Sequence, residues 1–175
     1  MYYVVGCTHL DDPGILPYRG YRTVAEMNEH IVHRWNAVVT EDDLIYVLGD
    51  FAAYRVDYWT NALKGTKVLV IGNHDPRSIY SAGFSEVLMS TNLILPPAED
   101  GEAPREFWLS HYPSQAWPGK GGGRDVWHLH AHSHGKLGRL VPGITGPTRV
   151  DVSMDAWPET WPLQLETIRN VKNGY

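Results

Sequence analysis

The chain has 175 residues, 43% hydrophobic and 20% charged, which fits one globular domain with a sizeable core and excludes a disordered chain. Its net charge of −5 argues against a broad nucleic-acid surface, which needs a positive footprint, and no apolar run reaches the roughly 18 residues of a membrane span. A single cysteine, Cys7, and an opening Met1-Tyr2-Tyr3-Val4-Val5 without a basic leader predict a cytoplasmic protein with no internal disulfide.

In chain order, the apolar run at residues 2–5 predicts a buried strand. Residues 24–39 predict a helix: Thr23 and Glu26 match a capping box, and Met27, Ile31, Trp35 and Val38 make an apolar stripe. Strands at 44–48 and 68–71 flank a second helix at 56–63, with Gly65 just beyond its end. Weaker strand patterns fall at 86–89, 92–95, 107–109 and 126–129. A last helix is predicted over 163–171, with Pro162 near its first turn. The stretches 96–105 and 117–123 read as loops, and 137–148 as a turn or short hairpin. Helices alternating with strands, then strands alone, predict a single layered α/β domain over residues 1–175.

Histidine is over-used: there are nine, and four of them lie between residues 128 and 134. Each strong apolar run ends in potential metal ligands. Cys7 and His9 follow the first, Asp50 the next, and Asn73, His74 and Asp75 the third. His111 follows the run at 107–109, and His132 and His134 follow the run at 126–129. In open α/β sheets, sites form beyond the carboxyl ends of strands, so these groups converge if the strands run the same way. Gly49 and Gly72 permit sharp turns at the points where ligands must project. Mixed nitrogen and oxygen ligands suit first-row ions such as Mn, Fe, Ni or Zn. A carboxylate able to touch two ions, as Asp50 is placed to do, fits a binuclear centre that clamps the attacking and leaving oxygens of a phosphoryl displacement.

In these motifs the chain resembles the calcineurin-like metallophosphoesterase superfamily. Its small members show Asp-x-His, Gly-Asp, Gly-Asn-His-Asp, a lone His and Gly-His-x-His in that order. Here the same order reads Cys7-Thr8-His9, Gly49-Asp50, Gly72-Asn73-His74-Asp75, Ser110-His111 and Ala131-His132-Ser133-His134, spanning residues 1 to about 155. The resemblance implies a four-layer α/β/β/α sandwich, two mixed sheets flanked by helices. It implies two divalent ions, Mn2+ first, with Fe, Ni or Zn as alternatives. One would be held by Cys7, His9, Asp50 and His134, the other by Asp50, Asn73, His111 and His132. His74 would be the general acid or transition-state donor, with Asp75 orienting it, and a hydroxide bridging the metals would attack phosphorus in line. Two residues depart from the pattern. Cys7 stands where the family has Asp, and its soft thiolate would favour Zn or Fe at that site; Ala131 stands where the family has Gly.

With few residues to spare for a cap, the resemblance points to a phosphodiesterase acting on small phosphodiesters such as 2',3'-cyclic nucleotides. Metal motifs do not encode the leaving group, so a phosphomonoesterase or protein phosphatase with the same core stays open, as does a degenerate metal-dependent binding module. Tyr18, Arg22, Arg55 and Tyr112 are the candidate substrate contacts, in loops that also carry Arg19, Tyr21, Trp117, Lys120 and Arg124. Neither a membrane nor extended nucleic acid is an expected partner. His30 and His33 read as surface or packing residues, His128 and His130 as supporting ones, Asp11 and Asp12 as turn formers, and Asp151 and Asp155 as structural, with hydrogen-bonded support of the histidines as the alternative.

Overall fold

The computed structural model describes residues 1–97, 103–120, 123–141, 148–159 and 161–168. The strands are β1 (Tyr2–Val5), β2 (Leu44–Val47), β3 (Thr66–Val70), β4 (Glu86–Leu88), β5 (Ser90–Leu95), β6 (Arg105–Ser110), β7 (Val126–His130), β8 (Leu140–Val141), β9 (Arg149–Asp151) and β10 (Leu163–Gln164). The α-helices are α1 (Leu16–Arg19), α2 (Val24–Val38) and α3 (Val56–Ala62). One sheet has the order β10-β1-β2-β3-β4, with β1 to β4 parallel and β10 antiparallel. The other has the order β5-β6-β7-β9-β8, with β6, β7 and β9 parallel between two antiparallel edges. The fold is therefore α/β with two mixed sheets.

Alternation along the strands sorts side chains into two cores. Tyr3, Val5, Ile45, Val47 and Leu69 pack with Met27, Ile31 and Trp35 of α2 and with Val56 and Trp59 of α3. Val4, Leu48 and Val70, on the opposite face, pack against Phe107, Leu109, Leu129 and Val150 of the second sheet. Burial on both faces is why these parallel strands read as unbroken apolar runs. The crossovers from β1 through α2 to β2, and from β2 through α3 to β3, put both helices on the same side of the sheet.

Helix α2 starts where expected. Thr23 Oγ1 accepts from the Glu26 N–H at 3.1 Å, while the Glu26 carboxylate reaches back to the Arg22 N–H at 2.9 Å rather than to that of Thr23. Burial of Met27 and Ile31 stabilises by about 1.5–3 kcal/mol each. Val38, expected in the stripe, is exposed, because α2 ends there and the chain turns extended at Val39.

Two expectations change. Residues 163–164 are strand β10 and 165–167 a turn where an α-helix is predicted. Leu163 pairs with Val4, the Leu165 N–H donates to the Tyr2 carbonyl, and both leucines enter the inter-sheet core, so their spacing is a strand period. Residues 169–171 of that predicted helix lie outside the described residues. All three α-helices lie against the first sheet; among the described residues the outer face of the second is covered by the 111–120 loop instead of a helix. The turn or short hairpin expected at 137–148 is met in part, since β8 pairs antiparallel with the next strand, β9; residues 142–147 lie outside the described residues. Of the predicted loops 96–105 and 117–123, residues 98–102 and 121–122 also lie outside them. Among the described residues, no helix is long and apolar enough to cross a membrane.

On that outer face His128 is fully buried beside Trp108 and Trp117. Its Nδ1–H donates to the Trp108 carbonyl, and its Nε2 accepts from the Ser114 N–H. Burial, only partly opposed by the hydrogen bond to Trp108, pushes its pKa down to about 4. The folded state thus holds the ring neutral while the unfolded chain protonates it near 6.5, so the contribution is complete above that pH and is lost as pH falls from about 6.5 to about 4. The span corresponds to about 3 kcal/mol. Denaturant melts across this window should show that loss, with a shallower slope for His128→Gln; an unchanged slope would refute the assignment.

Candidate metal centre

The parallel strands of both sheets end at one edge, and there the sheets are stitched together. The Gly6 N–H donates to the Val152 carbonyl, and the Met154 N–H to the Gly6 carbonyl, both at 3.0 Å. A Cβ on Gly6 would stand 2.4 Å from the Ala131 methyl, so that methyl occupies space that Gly6 leaves open.

Beyond this edge the backbone is contorted. Cys7, His9, Asp50, His132 and His134 all have positive φ, between 49° and 61°. For residues with a Cβ this left-handed conformation costs on the order of 1 kcal/mol or more each, and such strain concentrates at functional sites. Gly72 is required for a different reason: a Cβ there would lie 2.3 Å from Asp50 Oδ1 and 2.6 Å from the Asp50 nitrogen.

Asp50 is the centre of the arrangement. Its side chain is 1% exposed, with Oδ2 3.6 Å from His9 Nε2 and 3.5 Å from His111 Nε2. Its Oδ1 accepts from the His74 N–H at 2.8 Å. The surrounding imidazoles have their tautomers set from behind. Nδ1–H of His9 donates to Asp12 at 2.8 Å, that of His111 to the Leu48 carbonyl at 2.8 Å, and that of His134 to Asp155 at 2.6 Å. Each Nε2 therefore carries a lone pair. His9 Nε2 is buried with no hydrogen-bond partner, and His111 Nε2 faces the acceptor Asn73 Oδ1 at 3.0 Å.

Acceptors facing acceptors in a buried site suit a cation. Ligand atoms at neighbouring vertices of an ion about 2.1 Å away stand roughly 3.0–3.4 Å apart, close to the spacings around Asp50 and His111. Cys7 Sγ lies with His9 and His134, and again with Asp50 and His111, in groups whose ligand atoms are all within 4.8 Å of one another. Cys7 thus borders both groups, whereas the resemblance assigned it to one. Its sulfur accepts from the His132 N–H at 3.2 Å, and burial, then the nearby Asp50 carboxylate, pushes its thiol well above the usual range. Burial also lowers the pKa of His9 and of His132, keeping both rings in the neutral form that ligates metals. His132 belongs to neither group, although its ring is 5.1 Å from that of His111; Asn73 Oδ1 is the further oxygen beside His111.

The role expected for Asp75 is overturned. Its carboxylate accepts from the N–H groups of Asp50, Phe51 and Gly72 at 3.0, 2.8 and 2.7 Å and makes no hydrogen bond to His74. Burial raises its pKa despite those three donors. Asp75 is a clamp between the loops after β2 and β3, its carboxylate bonded to three amides instead of to the His74 ring.

Three residues that position ligands were read otherwise in the sequence. Asp12 and Asp155, taken as a turn former and a structural residue, are the acceptors that orient His9 and His134. Arg19, grouped with substrate-facing residues, has a side chain only 3% exposed. Its guanidinium forks onto Asp155 at 2.8 Å through both Nε and Nη2 and donates to the carbonyls of Cys7 and Thr8. Burial would raise the Asp155 carboxyl, but His134 and Arg19 hold it at about 2. An Asp three residues after a ligand His was a signal for Asp12; nothing in the sequence joined Arg19 to Asp155, which lies 136 positions away.

The candidate substrate contacts separate. Tyr112 packs its ring 4.9 Å from His111 and 4.7 Å from His132, and Tyr18 lines cavities beside His134. Arg55 is held by Asp11 at 2.7 and 2.8 Å, and Arg22, at the start of α2, lines neither cavity. Trp117 and Lys120 cover the outer face of the second sheet, and Arg124 pairs with Glu106 at its margin.

No family model matches the chain. It is 27% identical over 172 residues to the gene 66 protein of Mycobacterium phage D29, covering 83% of this chain and 84% of that one. The gene 66 protein of Mycobacterium phage L5 is 25% identical, over 77% and 76% of the two chains. An uncharacterized protein of Methanocaldococcus jannaschii is 34% identical over 80 residues, 42% of this chain and 46% of that protein. The crystal structure of a protein of unknown function from Aquifex aeolicus superimposes with a TM-score of 0.61 at 21% identity, covering 89% of this chain and 90% of that one; the two share a fold.

Arg19→Lys keeps the charge but not the planar fork. Metal titration of chelator-stripped protein should show affinity reduced tenfold or more, as when other groups that orient metal ligands are lost. Unchanged affinity in the folded variant would remove Arg19 from the positioning of His134.

Proposed function

We propose that the chain is a metal-dependent phosphoesterase of the calcineurin-like kind, acting on small phosphodiesters. The observation that carries this reading is the Asp50 carboxylate, whose Oδ2 faces the inward lone pairs of His9 and His111 at 3.6 and 3.5 Å. The donor set suits two divalent ions, Mn2+ foremost, one among Cys7, His9, Asp50 and His134 and one among Asp50, Asn73, His111 and His132. When bound, the ions would supply Lewis acidity and a water of lowered pKa.

The chain's own groups account for the remaining requirements. His74 is exposed, its ring is 5.6 Å from that of His9, and its backbone is anchored to Asp50, so the imidazole stands at the rim where a leaving-group oxygen can take its proton. Asp12, Asp155 and the Leu48 carbonyl accept from the Nδ1–H groups of His9, His134 and His111 and so keep each Nε2 aimed inward. Tyr112 packs its ring against His111 and His132 and walls that side of the site. Because no described segment forms a cap over this edge, the cleft suits a small diester with room for a group on each side of phosphorus.

Protein stripped of metal and reconstituted singly with Mn, Ni, Zn or Fe should hydrolyse a chromogenic phosphodiester faster than the matching monoester. His74→Ala should lose about 10²–10⁴-fold in kcat. Metal bound without turnover of either ester would sink the reading, and monoester preference would sink the diester part alone. Cys7→Asp should raise the ratio of Mn- to Zn-supported activity, since a hard oxygen replaces a soft sulfur. An equal or lower ratio in the folded variant would count against Cys7 as a ligand.

A further inference from the structure

Two cavities open beside His134, and both are lined by Tyr18, His134 and Asp155. The first, of ≈ 330 Å³, adds the rings of Tyr21, His30 and Trp161 and the apolar walls of Met154 and Pro158. The second, of ≈ 400 Å³, adds Ile15 and Lys136. Tyr18 is the partition, 76% exposed, with the Lys136 ammonium 5.6 Å from its ring centroid. Both volumes fall in the range of about 300–1,000 Å³ that holds small ligands.

The lining of the first cavity is specific in kind. Five of its nine residues carry flat π-faces, which bind another flat ring sequence-tolerantly. Its charged pair, Arg19 and Asp155, is consumed internally. His30 differs: its ring nitrogens make no hydrogen bond among the described residues, although Tyr21 packs 5.6 Å from its ring. A wholly apolar tail would bury against those nitrogens without pairing them, whereas a planar heteroaromatic edge can donate to one and accept from the other.

We infer that this cavity is a nucleobase subsite, so that the diester arm reaching past His134 is a nucleoside. The inference rests on the phosphodiesterase reading for its geometry, because a phosphorus held at the metal centre puts one ester arm beside His134. Tyr18 stacks on the base from its exposed position, Tyr21 and Trp161 enclose it, and His30 reads its edge. Lys136, on the other side of Tyr18, draws the anionic substrate toward the partition.

The test compares a nucleoside 2',3'-cyclic phosphate with glycerol 1,2-cyclic phosphate, which keeps the five-membered cyclic diester but lacks the base. In the metal-loaded wild type, kcat/KM should favour the nucleotide by about tenfold or more, and Tyr18→Ala and His30→Ala should each cut that ratio, Tyr18→Ala by about tenfold. A wild-type ratio near one, or a ratio that neither variant moves, overturns the subsite while leaving the phosphodiesterase intact. If neither compound is hydrolysed, the catalytic reading fails, and the subsite is decided by quenching of tryptophan fluorescence with adenosine. Saturable quenching, weakened about tenfold by Tyr18→Ala, upholds it; no saturable quenching overturns it. Tyr18 is exposed, and its loss should leave the fold intact, which a thermal melt of the variant checks.

Discussion

A buried carboxylate confronted by two imidazole lone pairs is the constraint around which this molecule is organised. Without a compensating positive charge, Asp50 and its neighbours His9 and His111 present acceptors to acceptors in a pocket that water barely reaches. Such a cluster persists only if its surroundings hold it, and the surroundings are arranged to do so. Asp75 receives the amides of Gly72, Asp50 and Phe51, which locks the loop after β2 against the loop after β3. The Leu48 carbonyl and Asp12 set the tautomers of the two rings.

The left-handed residues belong to the same arrangement. Cys7 and His9 alternate in this conformation at the end of β1, and His132 and His134 do so at the end of β7. In each pair the intervening residue is turned inward: Thr8 is fully buried and bonded to the Phe51 carbonyl, and Ser133 is bonded to Asp151. The strain is offset by the packing of the two sheets beneath, by Asp151, which also accepts from Gly135 and Ser153, and by Arg19, which grips the carbonyls of Cys7 and Thr8.

Much of this was legible in the residues before any coordinate. The parallel strands declared themselves because both their faces are buried, and the ligands were conspicuous because each followed such a run. Misreadings came from residues whose meaning depends on distant partners. Asp75 sits beside His74 in sequence but faces the amides of another loop. Arg19 lies among exposed tyrosines yet points inward to a carboxylate near the other end of the chain. Leu163 and Leu165 fit either period over so short a stretch, and only an open edge beside β1 made them a strand.

The sequence by itself determined the inventory: which strands are buried, which loops carry nitrogen, oxygen and sulfur donors, and in what order they come. Those are local properties, set by apolar periodicity and by the chemistry of single side chains. The tertiary structure decided which donors meet, which ring nitrogen is turned inward, which carboxylates are spent on amides and which on imidazoles, and that a cavity lies against His134. Those are relations between residues tens to more than a hundred positions apart, and no local pattern encodes them, because hydrogen-bond pairing in a buried site is settled by the packing of two sheets rather than by the neighbours of any one residue.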